Sequence, residues 1–357
     1  MSDLFYLSAR LRAMRAQFLT RREFEGILAL PDLSSIATAL RESPYGQTME
    51  SAGGEVPEAA RIEEALRRNV SQTLTRLLAL SSGDCAEAVQ LVLGRWEVQA
   101  VKTILRGKVS GASPAEILSS LVPTGLHDEA ALEEMSRQAD PRALAELMVT
   151  WREPWGRPLL RALPSFRGPR DLAILESALD RCWIEQATKL LREIRPCSPG
   201  ADGEDALSLY VSLSVDTINL MTVLKEVEDR IVPVNRDRNL FPGGRIFDEN
   251  TLDRIRASPT LAEALREAGR SLFLRPLAAL PPPAEGVPYL AVVERQLDRV
   301  LLRASRNIAR VDPLGWGPLV SFLLEKLREV RNLRMIVRAR LVDLPEAELG
   351  HLLILEY

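Results

Sequence analysis

Three stretches of the chain repeat one pattern: WEVQAVKTILRGK (96–108), VDTINLMTVLKEV (215–227) and REVRNLRMIVRAR (328–340). Each has an acidic residue near its start, then apolar residues at helical spacing, and a basic residue near its end. The acidic positions are Glu97, Asp216 and Glu329. Their separation gives a period of about 115 residues, which is too long for a solenoid and predicts a helical module present three times.

A second, independent element recurs at the same period upstream of the first. The words EEALRR (63–68), ESALDR (176–181) and ERQLDR (294–299) begin with Glu63, Glu176 and Glu294. Two unrelated elements that share one period argue against a chance match of short Leu/Glu/Arg words. We therefore expect an all-α protein with helical repeats at 1–125, 126–248 and 249–357.

The copies differ at two positions inside the first pattern. Three residues after the acidic position, the second and third copies have Asn219 and Asn332, whereas the first has Ala100. Asparagine is a mediocre helix former, so its presence in two copies favours a buried residue that fixes helix register over an exposed one. The second copy also has Met221 where the others have a basic residue, Lys102 and Arg334.

Composition excludes several classes of function. The chain has 357 residues and a net charge of −3, without the basic excess that nucleic-acid binding requires. The three cysteines, Cys85, Cys182 and Cys197, form no C-x-x-C pair, which fits a reducing cytosol. We find no signal peptide pattern and no apolar run of about 18 residues, so we expect a cytoplasmic protein that reaches a membrane through partners.

No catalytic or cofactor motif stands out. There is no Walker A loop and no G-x-G-x-x-G, and the two histidines, His127 and His351, lack the neighbours of a zinc site. We interpret both as solvated or capping residues. We expect no catalytic residue, cofactor, metal or small-molecule substrate, and hence no enzyme. The turn at Gly243–Gly244 could bend its backbone toward an anion beside Arg245, although a simple tight turn is the favoured interpretation.

The C-terminal helical pattern carries five arginines with glutamates between them, which is typical of a solvated face. A sharper hypothesis is that part of this face meets an acidic partner. Its candidate interface residues are Arg331 and Arg334, to which we add Arg245.

Several words taken together resemble the C subunit of the V/A-type rotary ATPases, which is named the d subunit in eukaryotic complexes. They are YLSARLRAM (6–14), LRESPYG (40–46), EVQAVKTILRGKVSG (97–111), SVDTINL (214–220), FPGGRIFDENTLDRI (241–255) and DPLGWGPLVSFLLEKLREVRNLRMIVRAR (312–340). Their order and spacing span most of the chain.

The resemblance implies three similar helical bundles around a pseudo-threefold axis, which together form a funnel. It further implies a non-catalytic rotor subunit on the cytoplasmic face of the membrane proteolipid ring. There it would receive the central shaft subunits of the D and F type and transmit torque. The alternative is a generic helical-repeat scaffold that binds another protein in its concave face.

Overall fold

The computed structural model describes residues 2–53, 56–194, 205–230, 240–280, 289–344, 349–350 and 353–354. Throughout these ranges the chain forms helices joined by turns, without a β-strand. The all-α prediction is therefore confirmed. Cys197 and His351 lie outside the described residues, whereas Cys85 and Cys182 are buried and are not part of a disulfide.

Sixteen α-helices are described. They are α1 (Ser2–Arg15), α2 (Arg21–Leu28), α3 (Leu33–Arg41), α4 (Gly46–Ser51), α5 (Glu58–Ala79), α6 (Asp84–Ser110), α7 (Pro114–Ser120), α8 (Glu129–Arg137), α9 (Pro141–Thr150), α10 (Gly156–Ala162), α11 (Leu172–Glu193), α12 (Ala206–Glu228), α13 (Glu249–Arg256), α14 (Leu261–Ala268), α15 (Tyr289–Val311) and α16 (Gly317–Leu341). Short 3-10 helices also occur, of which Leu272–Ala279 is the longest described.

One order of elements recurs along the chain. Three short helical segments precede two long helices in α2–α6, in α8–α12, and in α13–α16, where the 3-10 helix Leu272–Ala279 is the third short segment. The first short helix of each set begins at a side-chain cap, which is Thr20, Asp128 or Asp248. Each cap oxygen accepts a hydrogen bond from a backbone N–H of the first turn, which would otherwise lack a partner. The bounds of the three predicted repeats remain a prediction.

The chain divides into two compact units. The first contains Met1–Arg195 and Lys326–Asp343, and the second contains Pro196–Glu325 and Leu344–Tyr357. In the first unit, α6 packs along α11. In the second unit, α12 packs against α13, α14 and α15 around a core in which Leu220, Leu224 and Ile255 are fully buried. Helix α16 contributes its N-terminal part to the second unit and the rest to the first.

Helix α12 is the one described helix that is long and apolar enough to cross a membrane. The sequence-based expectation of no such stretch therefore needs correction. Most of the apolar part of α12 is buried, however, and a core helix passes the same test of length and composition. Its burial against α13 and α15 accounts for its apolar character.

Helix α16 corrects a second expectation, that its charged residues form a solvated face. Glu325, Glu329 and Arg334 are each at most 5% exposed, and Lys326 is 2% exposed. Buried charges are stable only when they are paired and hydrogen-bonded. The partners of these residues therefore matter more than their number.

Candidate functional site

The acidic residues that define the sequence repeat are all buried. Glu97 on α6 is 1% exposed, Asp216 on α12 is 2% exposed and Glu329 on α16 is 3% exposed. A buried carboxylate is costly unless hydrogen-bond donors or cations surround it. Each of the three has such partners, and apart from Lys326 beside Glu329 these partners lie at least 27 residues away in sequence.

Glu97 accepts hydrogen bonds from the hydroxyl of Thr124 and from Nδ1 of His127. His127 Nε2 lies 3.1 Å from a carboxylate oxygen of Glu153. Burial lowers the pKa of His127, but the contacts with Glu153 and Glu97 outweigh burial and raise this pKa to about 10. His127 is therefore a buried imidazolium between two carboxylates, and its interpretation as a solvated or capping residue was wrong.

The His127 cluster gives the first unit a pH-dependent stability. Because the folded pKa of about 10 exceeds the ordinary value of 6.5, the contribution is complete below pH 6.5 and is lost as pH rises toward 10. We expect chemical denaturation between these limits to show a loss of roughly 2–4 kcal/mol. In His127→Gln, stability at low pH falls and this part of the pH dependence disappears. An unchanged pH slope in the variant would contradict the assignment.

Asp216 accepts three backbone N–H groups, from Arg245 at 2.8 Å, Ile246 at 2.9 Å and Phe247 at 3.2 Å. Burial raises the pKa of Asp216, while these hydrogen bonds lower it and offset part of the shift. A Cβ atom at Gly244 would lie 2.4 Å from Oδ1 of Asp216. The turn therefore requires glycine here because its backbone closes on the carboxylate.

This arrangement decides between the two interpretations of the turn at Gly243–Gly244, a simple tight turn or a backbone bent toward an anion. Gly243 has a φ of +99°, in the region that favours glycine, and the backbone after it does bend toward an anion. The anion is the carboxylate of Asp216 in the same chain. Arg245 contributes its backbone N–H to this contact.

Glu329 accepts hydrogen bonds from the backbone N–H of Leu19 at 2.7 Å, the Tyr45 hydroxyl at 2.6 Å and Lys326 Nζ at 3.0 Å. Burial and the adjacent charge of Glu329 raise the pKa of Tyr45 well above its ordinary value, so Tyr45 stays a donor. Lys326 Nζ also lies 4.7 Å from the centre of the Tyr45 ring, a cation–π contact. This cluster is a fully paired group of buried charges.

The three carboxylates occupy equivalent positions relative to the first short helix of a set. Each holds the residue that directly precedes the N-cap of the first short helix in a set: Leu19 before Thr20, His127 before Asp128, and Phe247 before Asp248. The last long helix of one set thus carries the carboxylate that fixes the start of the next set. For Glu329, the set that it fixes is the first one, at the N-terminus of the chain.

The glutamates of the second sequence element also form ion pairs, in two of three cases. Glu176 on α11 contacts Arg106 at 2.6 Å, and Glu63 on α5 contacts Arg334 at 2.6 Å. Near the first pair, Lys102 Nζ lies 2.6 Å from Asp180. Burial lowers the pKa of Lys102, and the negative charge of Asp180 offsets part of this shift. These pairs link a last long helix to the first long helix of the next set.

The third glutamate, Glu294, and Met221 both differ in their contacts from the equivalent residues of the other copies. Glu294 on α15 is exposed, and within the described part of the chain it forms no ion pair. On α12, Met221 takes the place of Lys102 and Arg334 and packs against the apolar core of the second unit. Of the two basic residues at this position, Arg334 contacts Glu63 and Lys102 contacts Asp180, so Met221 removes a cation that pairs with a carboxylate in both other copies.

Placing a cation at position 221 tests whether α12 faces Glu294 in the same way that Arg334 on α16 faces Glu63. In Met221→Arg we expect an ion pair with Glu294, with a coupling energy of about 0.5–1 kcal/mol because Glu294 is exposed. A double-mutant cycle with Glu294→Gln, followed by urea denaturation, isolates this energy from the cost of replacing Met221. A coupling energy of zero would show that the two positions do not face each other.

The two asparagines are both buried. Asn219 donates from Nδ2 to the carbonyl oxygen of Phe241 at 2.8 Å and accepts the Phe241 N–H at 2.9 Å. This reciprocal pair holds the segment that leads to the glycine turn. Asn332 is 2% exposed on α16, and Ala100 is 6% exposed on α6.

The candidate interface on α16 needs correction at Arg334. It is 5% exposed and donates to the carbonyl oxygens of Leu121 and Ser119 as well as to Glu63. Its guanidinium is used inside the first unit, so it cannot meet an external acidic partner without breaking these bonds. Arg331 is half-buried, with its guanidinium carbon 4.2 Å from the centre of the Trp96 ring. Arg245 is exposed in the second unit.

These contacts define a class of protein. Within the described residues, no group of three or more histidine, cysteine or acidic side chains is placed to hold a metal. The buried charged groups described above pair with each other or with backbone groups and thereby join helices. They define an all-helical protein whose neighbouring helices are joined by buried ion pairs and hydrogen bonds.

Comparison with known proteins supplies the family. Residues 7–352 match the family model of the ATP synthase (C/AC39) subunit. The C subunit of the V-type ATP synthase of Thermus thermophilus is 30% identical over 347 residues, which cover 97% of each chain. The C subunit of the A-type ATP synthase of Haloferax volcanii is 28% identical, over 98% of this chain and 97% of the relative. The corresponding V-type protein of Deinococcus radiodurans is 25% identical, over 97% and 90% respectively.

The chain belongs to the C/AC39 family of V/A-type ATP synthase subunits. Members of this family are structural components of a rotary ATPase and not catalytic ones. Membership therefore makes this chain a component of a membrane-associated complex with other subunits as partners.

Proposed function

We propose that this chain is the rotor socket of a V/A-type rotary ATPase. It lies on the cytoplasmic face, between the membrane proteolipid ring and the central shaft subunits of the D and F type, and it transmits torque between them. The observation that carries the proposal is the family match over residues 7–352. The three buried carboxylates support it, because each ties one set of helices to the next.

We further propose that the three sets are the repeats 1–125, 126–248 and 249–357, arranged around a pseudo-threefold axis as a funnel. Two observations support this arrangement. The order of short and long helices recurs three times. In addition, Glu329, near the end of the chain, holds Leu19 near its beginning, as a closed arrangement of three sets requires.

The mechanical role is consistent with the energies involved. One charge crossing 100 mV releases about 2.3 kcal/mol, so the ions behind one catalytic step deliver on the order of 10 kcal/mol. An interface that buries about 1,000 Å² of apolar surface gains about 25 kcal/mol before association costs. A broad and well-packed socket can therefore hold under load, and densely packed helices transmit strain.

Co-purification from gently solubilised membranes tests the proposal. A tagged chain should bring down the proteolipid ring and the shaft subunits together. Recovery of neither, with some unrelated protein instead, would favour the helical-repeat scaffold. In the same assay, Arg245→Glu and Arg331→Glu test the two remaining candidate interface residues, and unchanged recovery would remove them from the interface.

A further inference from the structure

Two adjacent large apolar side chains lie on the surface of the second unit. Leu272 is 85% exposed and Phe273 is 47% exposed, at the start of the 3-10 helix Leu272–Ala279. Single exposed apolar residues are common on protein surfaces, whereas interaction surfaces expose apolar side chains that adjoin one another, as these two do.

The exposure follows from a well-packed element. Leu274 and Leu277 in the same 3-10 helix are 2% and 1% exposed and belong to the core of the second unit. A Cβ atom at Gly269 would lie 2.6 Å from Cβ of Ala278, so the element packs tightly against the end of α14. Because residues three apart share a face in a 3-10 helix, Leu272 and Arg275 lie together on its outer face.

Three arginines lie on or between the two elements at this place: Arg266 on α14, Arg270 just after it, and Arg275 in the 3-10 helix. Arg266, Arg270 and Arg275 are exposed. Arg270 pairs with Glu267, which also contacts Arg254, so this nearby carboxylate is already neutralised. In the described part of the chain, Arg266 and Arg275 form no ion pair, and the other acidic residue of α14, Glu263, lies in its first turn. Residues 261–279 thus carry three arginines against two glutamates, Glu263 and Glu267, and Glu267 is already paired.

Apolar side chains flanked by arginines match the boundary between acyl chains and anionic headgroups. There the apolar groups enter the acyl region and each arginine gains about 1 kcal/mol from the negative surface potential. A stable protein interface needs about 800 Å² on each partner, which two side chains on one turn of 3-10 helix do not supply. The chemistry therefore favours a lipid surface over a protein partner.

We propose that the Leu-Phe patch, defined as Leu272 and Phe273 with Arg266, Arg270 and Arg275, contacts the anionic phospholipid surface of the membrane. The proposal rests on the proposed function for one point only, that the chain works at the cytoplasmic face of a membrane. The patch supplies an accessory contact, while the main attachment goes through protein partners.

Vesicle flotation of the full-length chain tests the patch. Wild-type protein should float with vesicles of phosphatidylcholine and phosphatidylglycerol, bind much less to phosphatidylcholine alone, and lose binding as salt rises. Arg275→Gln should weaken binding about fivefold, which is the ~1 kcal/mol expected for one arginine. Leu272→Ser/Phe273→Ser should weaken it by about tenfold or more, because the apolar insertion is lost.

The matched control is Val311→Ser/Leu314→Ser. These residues are 69% and 51% exposed in the same unit, but they flank Asp312. Binding of the control variant should equal that of wild type. An absence of flotation, or equal loss in both double variants, would overturn the proposal. If Leu272→Ser/Phe273→Ser floats normally but no longer co-purifies with the complex, the patch is a protein contact. The co-purification experiment itself is independent of vesicle binding and tests the socket separately.

Discussion

Glu329→Ala is expected to destabilise the first unit by about 3–5 kcal/mol, because it leaves a buried ammonium group without its carboxylate. Lys326 is 2% exposed, and Glu329 at 3.0 Å is its ion-pair partner. The Leu19 N–H and the Tyr45 hydroxyl lose their acceptor in the same variant. A loss of this size is a large share of the stability of an ordinary domain. Urea denaturation followed by tryptophan fluorescence measures it.

The control for Glu329→Ala is Glu133→Ala, which removes an exposed carboxylate paired with Arg137. Such surface pairs contribute about 0–1 kcal/mol, so we expect little change. A double variant, Lys326→Met/Glu329→Leu, removes both charges and should recover part of the loss. If Glu329→Ala behaves like Glu133→Ala, the buried carboxylate does not hold the N-terminal segment in place.

Asp216→Ala is expected to cost the second unit about 2–4 kcal/mol, because three backbone donors lose their acceptor at a cost of roughly 1–3 kcal/mol each. The loss is smaller than the sum, since burial already makes the charged form of Asp216 costly and raises its pKa. Hydrogen exchange should show the amides of Arg245, Ile246 and Phe247 exchanging much faster than in wild type, while the amides of α15 change less.

Gly244→Ala tests the same contact with the carboxylate kept. A Cβ atom there would lie 2.4 Å from Oδ1 of Asp216, so the turn must move and its amides should again lose protection. Gly26→Ala is the matched control, because a Cβ atom at this helical glycine meets nothing within 4 Å. We expect Gly26→Ala to be neutral or slightly stabilising. Retained protection of the turn in Gly244→Ala would contradict the close approach of Asp216.

The sequence predicted the helices because helical periodicity is a local property. The apolar spacing of 215–227 and 328–340 could be followed along the chain without knowledge of any neighbour. The acidic residue at the head of each repeat was likewise visible as a recurring position. Its burial was not predictable in this way, because Glu97, Asp216 and Glu329 each depend on partners from segments remote in sequence.

The wrong expectations for the charged residues of α16 and for His127 have one physical cause. Charged residues at helical spacing look the same whether they face solvent or a second charged helix, so Arg334 and Glu329 on α16 resembled a solvated face. His127 stood in a loop-like stretch, and nothing nearby in sequence identified Glu97 as its partner. One signal was available: the basic position occupied by Lys102 and Arg334 is replaced by Met221 in the second copy. A position that alternates between a cation and an apolar residue is more typical of a buried contact than of a solvated one.

The proposed socket role is tested most directly by measuring how tightly ATP hydrolysis is coupled to ion pumping, in membranes that carry the rest of the complex. We expect complexes that lack this chain to hydrolyse ATP without pumping ions, and added chain to restore pumping driven by that hydrolysis. Ion uptake into vesicles and ATP hydrolysis, measured together, give the number of ions pumped per ATP hydrolysed. Full ion pumping per ATP in the absence of the chain would contradict the account.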